Sequence, residues 1–585
     1  MSRLWQTILI VVVLAAAGAI AFLPGIGWGL PSRAADGFLF GGRRPWTGQE
    51  ILALAGNRPD DPNLGADVDI NPLAKGNKPI LLNGTDAQRA AIARRYRLST
   101  SQPDEMITLM ALAKMRPSQG RFDPQLYQYG GLWIYPVAGL IKAASAAGFV
   151  TLTTDLAWYL DHPEAFGRLY VVARLYCVAW ALVGVWAVLA ITRKLTGGCL
   201  ASAAVAALCV IVMPVVVNMA HEAKPHLPGA VLMLLAVLAA MRYVETGRSS
   251  WWLGTAALCG AAFGMVLSSW PIFVVLPAML VVRRVSWQEV FSRTVFGGMV
   301  GLAVYLLTNP YVPINLAANR AVLRSNFGNS LAMYEIARLG EGCVNAAWLV
   351  VEGTSPILAV FGAGGATWLM IRGLRGARAD GSGAGRVRGL GWLLAAPAAL
   401  ILLQFAALAA GKPGEYGRFA VLPDIALAIA AVTAVRRRLA TAAHGIIPAA
   451  LLLLTTASSG SEYLLGFIRD ASASTSRAQA ACQLLTYSRS GARALGVVAE
   501  PAPYDLPPVD LFEWQILLLP ADATAEMIDR CDVLVRPWGT RPFATAAAMD
   551  NYRPDPPVLL ELDSKPISWA DKRFDIQVRK RSQQP

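Results

Sequence analysis

Charge is scarce in this chain: Asp, Glu, Lys and Arg make up 15% of its 585 residues, against roughly 25% in soluble domains. So little charge cannot cover a large soluble surface, and 55% of the residues are apolar, with a mean hydropathy of +0.45. Histidine is scarcer still, with four residues, and the seven cysteines show no CxxC or other metal-ligand spacing. That removes the zinc-module class. No internal repeat is evident either, which argues against an inverted-repeat transporter. Cys177, Cys199, Cys209 and Cys259 lie in or beside apolar runs and read as buried thiols. Cys482 and Cys531 share the C-terminal region, and the sequence leaves both a pair and two free thiols open.

What the chain does have is length in apolar runs. A first run covers Ile8–Leu23, and others are centred on Trp180, Val210, Leu235, Gly260, Leu276, Val304, Phe361, Leu400, Leu427 and Leu452. At about 20 residues per crossing this predicts a polytopic α-helical membrane protein with about eleven transmembrane helices. The first run has the look of a signal peptide, with Ser32-Arg33-Ala34-Ala35 as a cleavage-like site, but the many runs that follow favour a retained anchor.

The net charge of +14 would suggest nucleic acid as a partner of a soluble protein. Here Arg and Lys sit in short loops between apolar runs, so the charge is topological and no nucleic-acid partner is expected. With the N-terminus in the cytoplasm, Arg193 and Lys194, Arg242 and Arg248, Arg283 and Arg284, Arg372 to Arg388, and Arg436 to Arg438 all fall inside. Counting Gly131–Val150 as a span would reverse that agreement. Its Trp133, Tyr135 and Lys142 suit a helix lying at the headgroups.

The expected organisation is a first span over 1–24, a large extracytoplasmic loop over 25–165, further spans over 166–468, and an extracytoplasmic α/β domain over 469–585. The early part of the loop, rich in Pro, Gly, Asn and Asp, reads as irregular, with helix beginning near Pro103. Met106, Leu109, Met110 and Ala113 recur at helical spacing, which places Asp104 and Glu105 at a helix N-terminus. In the last domain ALGVVAE, QILLLP, DVLVRPW, PVLLELD and FDIQVRK read as strands, and Ala521 to Arg530 as a helix.

Several motifs occur in a telling order. Pro103-Asp104-Glu105 is followed by FDPQLYQYGGLWIYP, then by RLYVVARLYCVAWALVGVWAVLAITRKLTG, LLTNPYVPIN at Leu306–Asn315, and EYGRFAVLPDIALAI at Glu415–Ile429. The set resembles the GT-C superfamily of integral-membrane glycosyltransferases, in particular bacterial relatives of protein O-mannosyltransferases and lipid A aminoarabinose transferase. The resemblance spans most of residues 1 to 470. It implies transfer of a sugar from a polyprenyl-phosphate carrier to a protein, lipid or glycan acceptor on the outer face. Such a reaction mainly needs a carboxylate base and a cationic clamp on the leaving phosphate, and a resident cofactor or divalent metal is not expected.

By position in the motif, Asp104 matches the family's catalytic base and Glu105 its acidic companion. The competing reading is that two acids merely favour a helix N-terminus. Arg418 matches the family's basic residue before an LP-containing span; Arg174 and Lys412 are further candidates for the donor phosphate, with snorkelling to the headgroups as the alternative. Asp424 departs from the family's apolar position and is a pairing partner for Arg418. NMAHEAKPHLP gathers His221, Glu222, Lys224 and His226 at one span end. Glu222 and Lys224 read as lining a polar cavity with His221, while the His spacing does not suit a metal. Tyr129 and Tyr135 stack on a sugar or mark the bilayer interface. The WWDYG signature of oligosaccharyltransferases is absent, which disfavours en bloc glycan transfer to asparagine. The rival class is a transporter or flippase, which would place its ionisable groups near the bilayer midplane.

Overall fold

The structure, a computed structural model, describes residues 3–55, 80–378, 383–410, 415–438, 442–472, 475–497, 506–519, 523–537, 552–554 and 567–580. The chain is a multi-pass α-helical membrane protein whose residues divide into two compact units.

The first unit comprises Met1–Pro24, Ala111–Leu140 and Ala173–Leu465. Among the described residues, 8 helices are long and apolar enough to cross a membrane, or up to 9 if one bent pair is a single span. This lowers the sequence count of about eleven, and the reason is local. Leu200–Ile211 and Pro214–Ala220 meet at a 60° bend, where Pro214 opens the second helix. The run centred on Leu276 begins as a 3-10 helix, Leu267–Val274, that holds Pro271. The run centred on Gly260 is a 17-residue helix, Ser249–Met265, shorter than the roughly 20 residues of a full crossing. Hydropathy averages across such breaks, so the runs are visible in sequence and their interruptions are not.

Within this unit His226–Thr246 and Val421–Arg438 are buried nearly all round, as central helices must be, whereas Trp287–Thr308 exposes Phe291, Phe296 and Leu307. Small residues set the closest approaches. A Cβ on Gly260 would lie 2.1 Å from the Gly301 carbonyl oxygen, so these two helices pack backbone to backbone.

The second unit comprises Gly25–Met110, Ile141–Val172 and Gly466–Pro585. Its six-stranded sheet runs β1-β3-β2-β4-β6-β5, where β1 is Ile80–Leu81, β2 Ala494–Val497, β3 Gln515–Leu518, β4 Val533–Pro537, β5 Tyr552–Pro554 and β6 Phe574–Arg579. Parallel β2 pairs with β3 and β4 at the centre, and antiparallel strands close both edges. The central parallel strands are buried on both faces, with Leu495, Gly496 and Val497 in β2 and Val533, Leu534 and Val535 in β4 all interior, while Ile516 and Leu518 are the buried residues of β3. Four of the five strand-like runs form strands, while PVLLELD lies outside the described residues. The helix read at Ala521 to Arg530 is Ala525–Ile528.

The loop over 25–165 contributes β1 to the sheet, and buried Asn83 clamps it there. Asn83 Nδ2 donates to the carbonyls of Leu511 and Trp514, and its Oδ1 accepts from the Ile516 amide. The loop is also more regular than its composition suggests. Helix Asp86–Leu98 precedes the one expected near Pro103, and its signal was present as a capping box, Thr85 with Gln88 three residues on. Gly131–Ala146 is a helix with Pro136 inside it. Cys482 and Cys531 are free thiols, one exposed and the other buried.

Candidate active site

Asp104 and Glu105 belong to the second unit, where helix Glu105–Lys114 starts one residue after Asp104. Pro103 precedes them with its ring already fixed for a helix start. The two carboxylates differ in surroundings. Glu105 is fully buried and its Oε2 accepts a 2.6 Å hydrogen bond from Thr100 Oγ1, whereas Asp104 is half-buried and its amide donates to Gln102 Oε1 at 2.6 Å. Seven residues before Asp104, near the end of helix Asp86–Leu98, Arg97 is buried. Its Nε and Nη2 donate to the two Asp36 oxygens at 3.2 and 2.9 Å, and its Nη1 donates to the Trp46 and Leu160 carbonyls. Tyr170 Oη donates to the Leu98 carbonyl at 2.8 Å.

The other candidates lie in the first unit, where several separated motifs meet. Glu222 and Lys224 form an ion pair at 3.4 Å with both side chains 1% exposed, and Asn218 Nδ2 donates to Glu222 Oε1 at 3.1 Å. Such a pair survives burial only because charge and hydrogen bonds answer one another. His221 has both ring nitrogens against backbone carbonyls, Nδ1 at 2.8 Å from Val217 and Nε2 at 2.8 Å from Pro24. That leaves neither nitrogen for a metal, and no group of metal-ligating side chains occurs among the described residues.

His226, the next residue of that motif, sits edge-on between two rings. Tyr129 stands at 6.0 Å and 89°, and Phe419 at 5.0 Å and 86°. Arg418, half-buried on the 3-10 turn Glu415–Ala420, holds its guanidinium 5.3 Å from the centroid of the Phe419 ring. The aromatic segment, the HEAKPH turn and the GRF turn are thereby brought into one cluster. Lys412 lies outside the described residues. Arg174, on helix Pro163–Leu195, is fully buried, and a side chain snorkelling to headgroups needs an exposed end.

The expected pairing of Asp424 with Arg418 is not formed. Asp424 is fully buried in the first turn of Val421–Arg438, and neither carboxylate oxygen has a hydrogen-bond partner among the described residues. The absence of a side chain on Gly353 makes room for it, since a Cβ there would lie 2.6 Å from Asp424 Oδ2.

Tyr135 is oriented by donating to the Phe122 carbonyl at 3.3 Å, and burial, then Tyr311 and Asp123, pushes its phenol up to about 12. Asp123 itself went unremarked in the sequence. It accepts from Tyr127 Oη and from Asn315 Nδ2, each at 2.7 Å, and so ties FDPQLYQYGG to NPYVPIN. Only its place inside a recognised motif pointed to it.

Residues 164–314 match the sequence profile of the dolichyl-phosphate-mannose-protein mannosyltransferase family. No curated protein matches the chain significantly. Among solved structures, ArnT from Cupriavidus metallidurans bound to undecaprenyl phosphate is similar at 15% identity and a TM-score of 0.39, over 82% of this chain and 96% of that one. Its apo form gives 14% identity and a TM-score of 0.37, over 81% and 96%. The Archaeoglobus fulgidus oligosaccharyltransferase in complex with Zn and sulfate gives 11% identity and a TM-score of 0.39, over 79% and 67%. These overlaps are loose. The GT-C glycosyltransferase resemblance carried by the motifs is met through residues 164–314, where the chain matches the dolichyl-phosphate-mannose-protein mannosyltransferases.

Proposed function

We propose that this chain is a GT-C-type glycosyltransferase that moves a sugar from a polyprenyl-phosphate carrier to an acceptor on the extracytoplasmic face, with inversion at the anomeric carbon. Asp104 takes the proton of the acceptor hydroxyl or amine while the acceptor lone pair bonds to the anomeric carbon. The bond from that carbon to the phosphate oxygen breaks, and the carrier phosphate leaves with the electron pair. Glu105, held by Thr100, is the acidic companion of the base. Arg418, Arg174 and Lys412 bind the carrier phosphate. His221, Glu222, Lys224, Tyr129 and Tyr135 line the cavity for the sugar and acceptor. The observation that carries this reading is the meeting of Tyr129, His226, Phe419 and Arg418, which joins two of the family-like motifs and the HEAKPH turn in one cluster.

The clamp is tested by Arg418→Lys, which keeps the charge and loses the planar fork that holds two phosphate oxygens. The expected result is a KM for the polyprenyl-phosphate sugar raised by about tenfold, with membrane insertion and acceptor dependence unchanged. Superimposable donor saturation curves would remove Arg418 from the clamp. The reaction itself is tested by mass spectrometry of envelope glycans and polyprenyl-phosphate sugars in cells with and without the protein. A donor should accumulate as a glycosylated product disappears.

The N-terminus is assigned to the cytoplasm and the C-terminus to the extracytoplasmic side, supported by the common side of the basic clusters. Dropping the two short helices Ser249–Met265 and Leu267–Arg283 from the span count together leaves that parity unchanged. A cysteine placed by Glu526→Cys should react with an impermeant maleimide in intact spheroplasts, and one placed by Arg248→Cys only after permeabilisation. The opposite pattern would invert the topology.

A further inference from the structure

The segment from Asp123 to Gly130 has no helix or strand to define its course, yet it carries Tyr129 to His226. Three asparagines from one later stretch fix it. Asn315 Nδ2 donates to Asp123 Oδ2 at 2.7 Å and also contacts Tyr127 Oη. Asn326 Oδ1 accepts from the Tyr127 amide at 3.0 Å, and Asn326 Nδ2 donates to the Gln125 carbonyl at 3.2 Å. Asn309 Oδ1 accepts from the Gly131 amide at 2.7 Å.

Asp123 closes the arrangement from within, since its Oδ1 accepts from the Gln125 amide at 2.9 Å and from Tyr127 Oη at 2.7 Å. Gln125 lies between these ties at φ 52°, a left-handed conformation that a residue with a Cβ rarely keeps unaided. Beyond it the backbone runs against the turn at Met265–Leu267. The Gly130 amide donates to the Met265 carbonyl at 3.0 Å, and a Cβ on Gly130 would lie 1.9 Å from the Gly264 carbonyl oxygen.

We infer that Asp123 is a positioning residue of the sugar-transfer site: paired with Asn315, it sets the course of residues 123–131 and so holds Tyr129 against His226. The carboxylate and amide are complementary in a specific sense. The Asp123 carboxylate accepts through both oxygens, so Asn315 meets it with Nδ2. Asn315→Asp leaves a carboxylate facing a carboxylate and is the stronger disruption, whereas Asp123→Asn leaves two amides that pair again once Asn315 turns its amide over. The two changes together restore one of each. The placement of Tyr129 is a statement about geometry alone, whereas its consequence for transfer rests on the reading of Tyr129 as a cavity residue.

The test uses the full chain in lipid nanodiscs carrying Tyr129→Cys and His226→Cys, bridged by a short bifunctional methanethiosulfonate reagent and quantified as the linked peptide by mass spectrometry. Added singly, Asn315→Asp should slow bridging by about tenfold and Asp123→Asn by less, and added together they should recover the parent rate to within about twofold. A merely destabilising role predicts that the double variant is at least as slow as either single one. Bridging at the parent rate in both single variants, or no recovery in the double variant, overturns the inference. With Tyr129 and His226 native, Asn315→Asp should lower transfer by about tenfold and the double variant restore it. Slowed bridging with unchanged transfer would uphold the positioning and count against Tyr129 as part of the cavity.

Discussion

Asp104→Asn is expected to lower the transfer rate by about 100-fold or more while leaving donor binding intact. The substitution keeps the size of the side chain and removes its ability to accept a proton. The Asp104 amide donates to Gln102 Oε1, a contact that an asparagine preserves, and the side chain is half-buried. The helix after it begins at Glu105 in either case, and an acid at a helix N-terminus contributes only about 0.3 to 1 kcal/mol. Stability and catalysis therefore separate. Single-turnover assays in nanodiscs, with donor binding measured alongside, give the answer. Near-normal turnover would reduce Asp104 to a helix-terminal acid and pass the role of base to Glu105 or Glu222.

Arg97→Met should have the largest effect on folding, about 3 to 5 kcal/mol of destabilisation of the second unit. Arg97 is fully buried and donates both to Asp36 and to two backbone carbonyls, so methionine strands a buried carboxylate and two buried acceptors at once. Thermal unfolding of the full chain followed by intrinsic fluorescence measures the loss. The companion variant Arg97→Met with Asp36→Leu should recover part of it, because the stranded charge is gone while the Trp46 and Leu160 carbonyls stay without Arg97. A melting temperature unchanged in the single variant would mean that the pair does not hold this unit. Since Arg97 leads within a turn into Ser99–Glu105, the same variant should also reduce transfer.

The membrane character, the approximate positions of the spans, the main strands and the acid pair at a helix start were all legible from local signals. Apolar runs, alternation, and Pro103 ahead of Met106, Leu109 and Met110 each act over a few residues, and short-range physics fixes them wherever the chain goes. Less legible were the interruptions at Pro214 and Pro271, because mean hydropathy stays high across a break in helix. Ile80–Leu81 could not be read as a strand at all. Two residues have no detectable alternation, and their state comes from pairing with Leu517 and Leu518 far along the chain.

The candidate site divides in the same way. Asp104, Glu105, Glu222, Lys224 and Arg418 stood out by residue type and motif. The tie from Asp123 to Asn315 crosses 192 residues and was invisible, because each is an ordinary polar residue until the fold sets a carboxylate against an amide. Burial, too, belonged to the tertiary structure. Arg174 and Asp424 each had a plausible exposed or paired reading in sequence, and packing placed both in the interior.

By itself, then, the sequence determined a multi-pass membrane chain with glycosyltransferase-like motifs, since hydropathy, basic loops and helix-start chemistry are properties of neighbouring residues. Tertiary structure alone decided which apolar runs are broken, that the first loop shares a sheet with the C-terminal residues, and which motif side chains meet. Those outcomes depend on hydrogen bonds and close contacts between residues remote in sequence, whose partners are chosen only when the whole chain has folded.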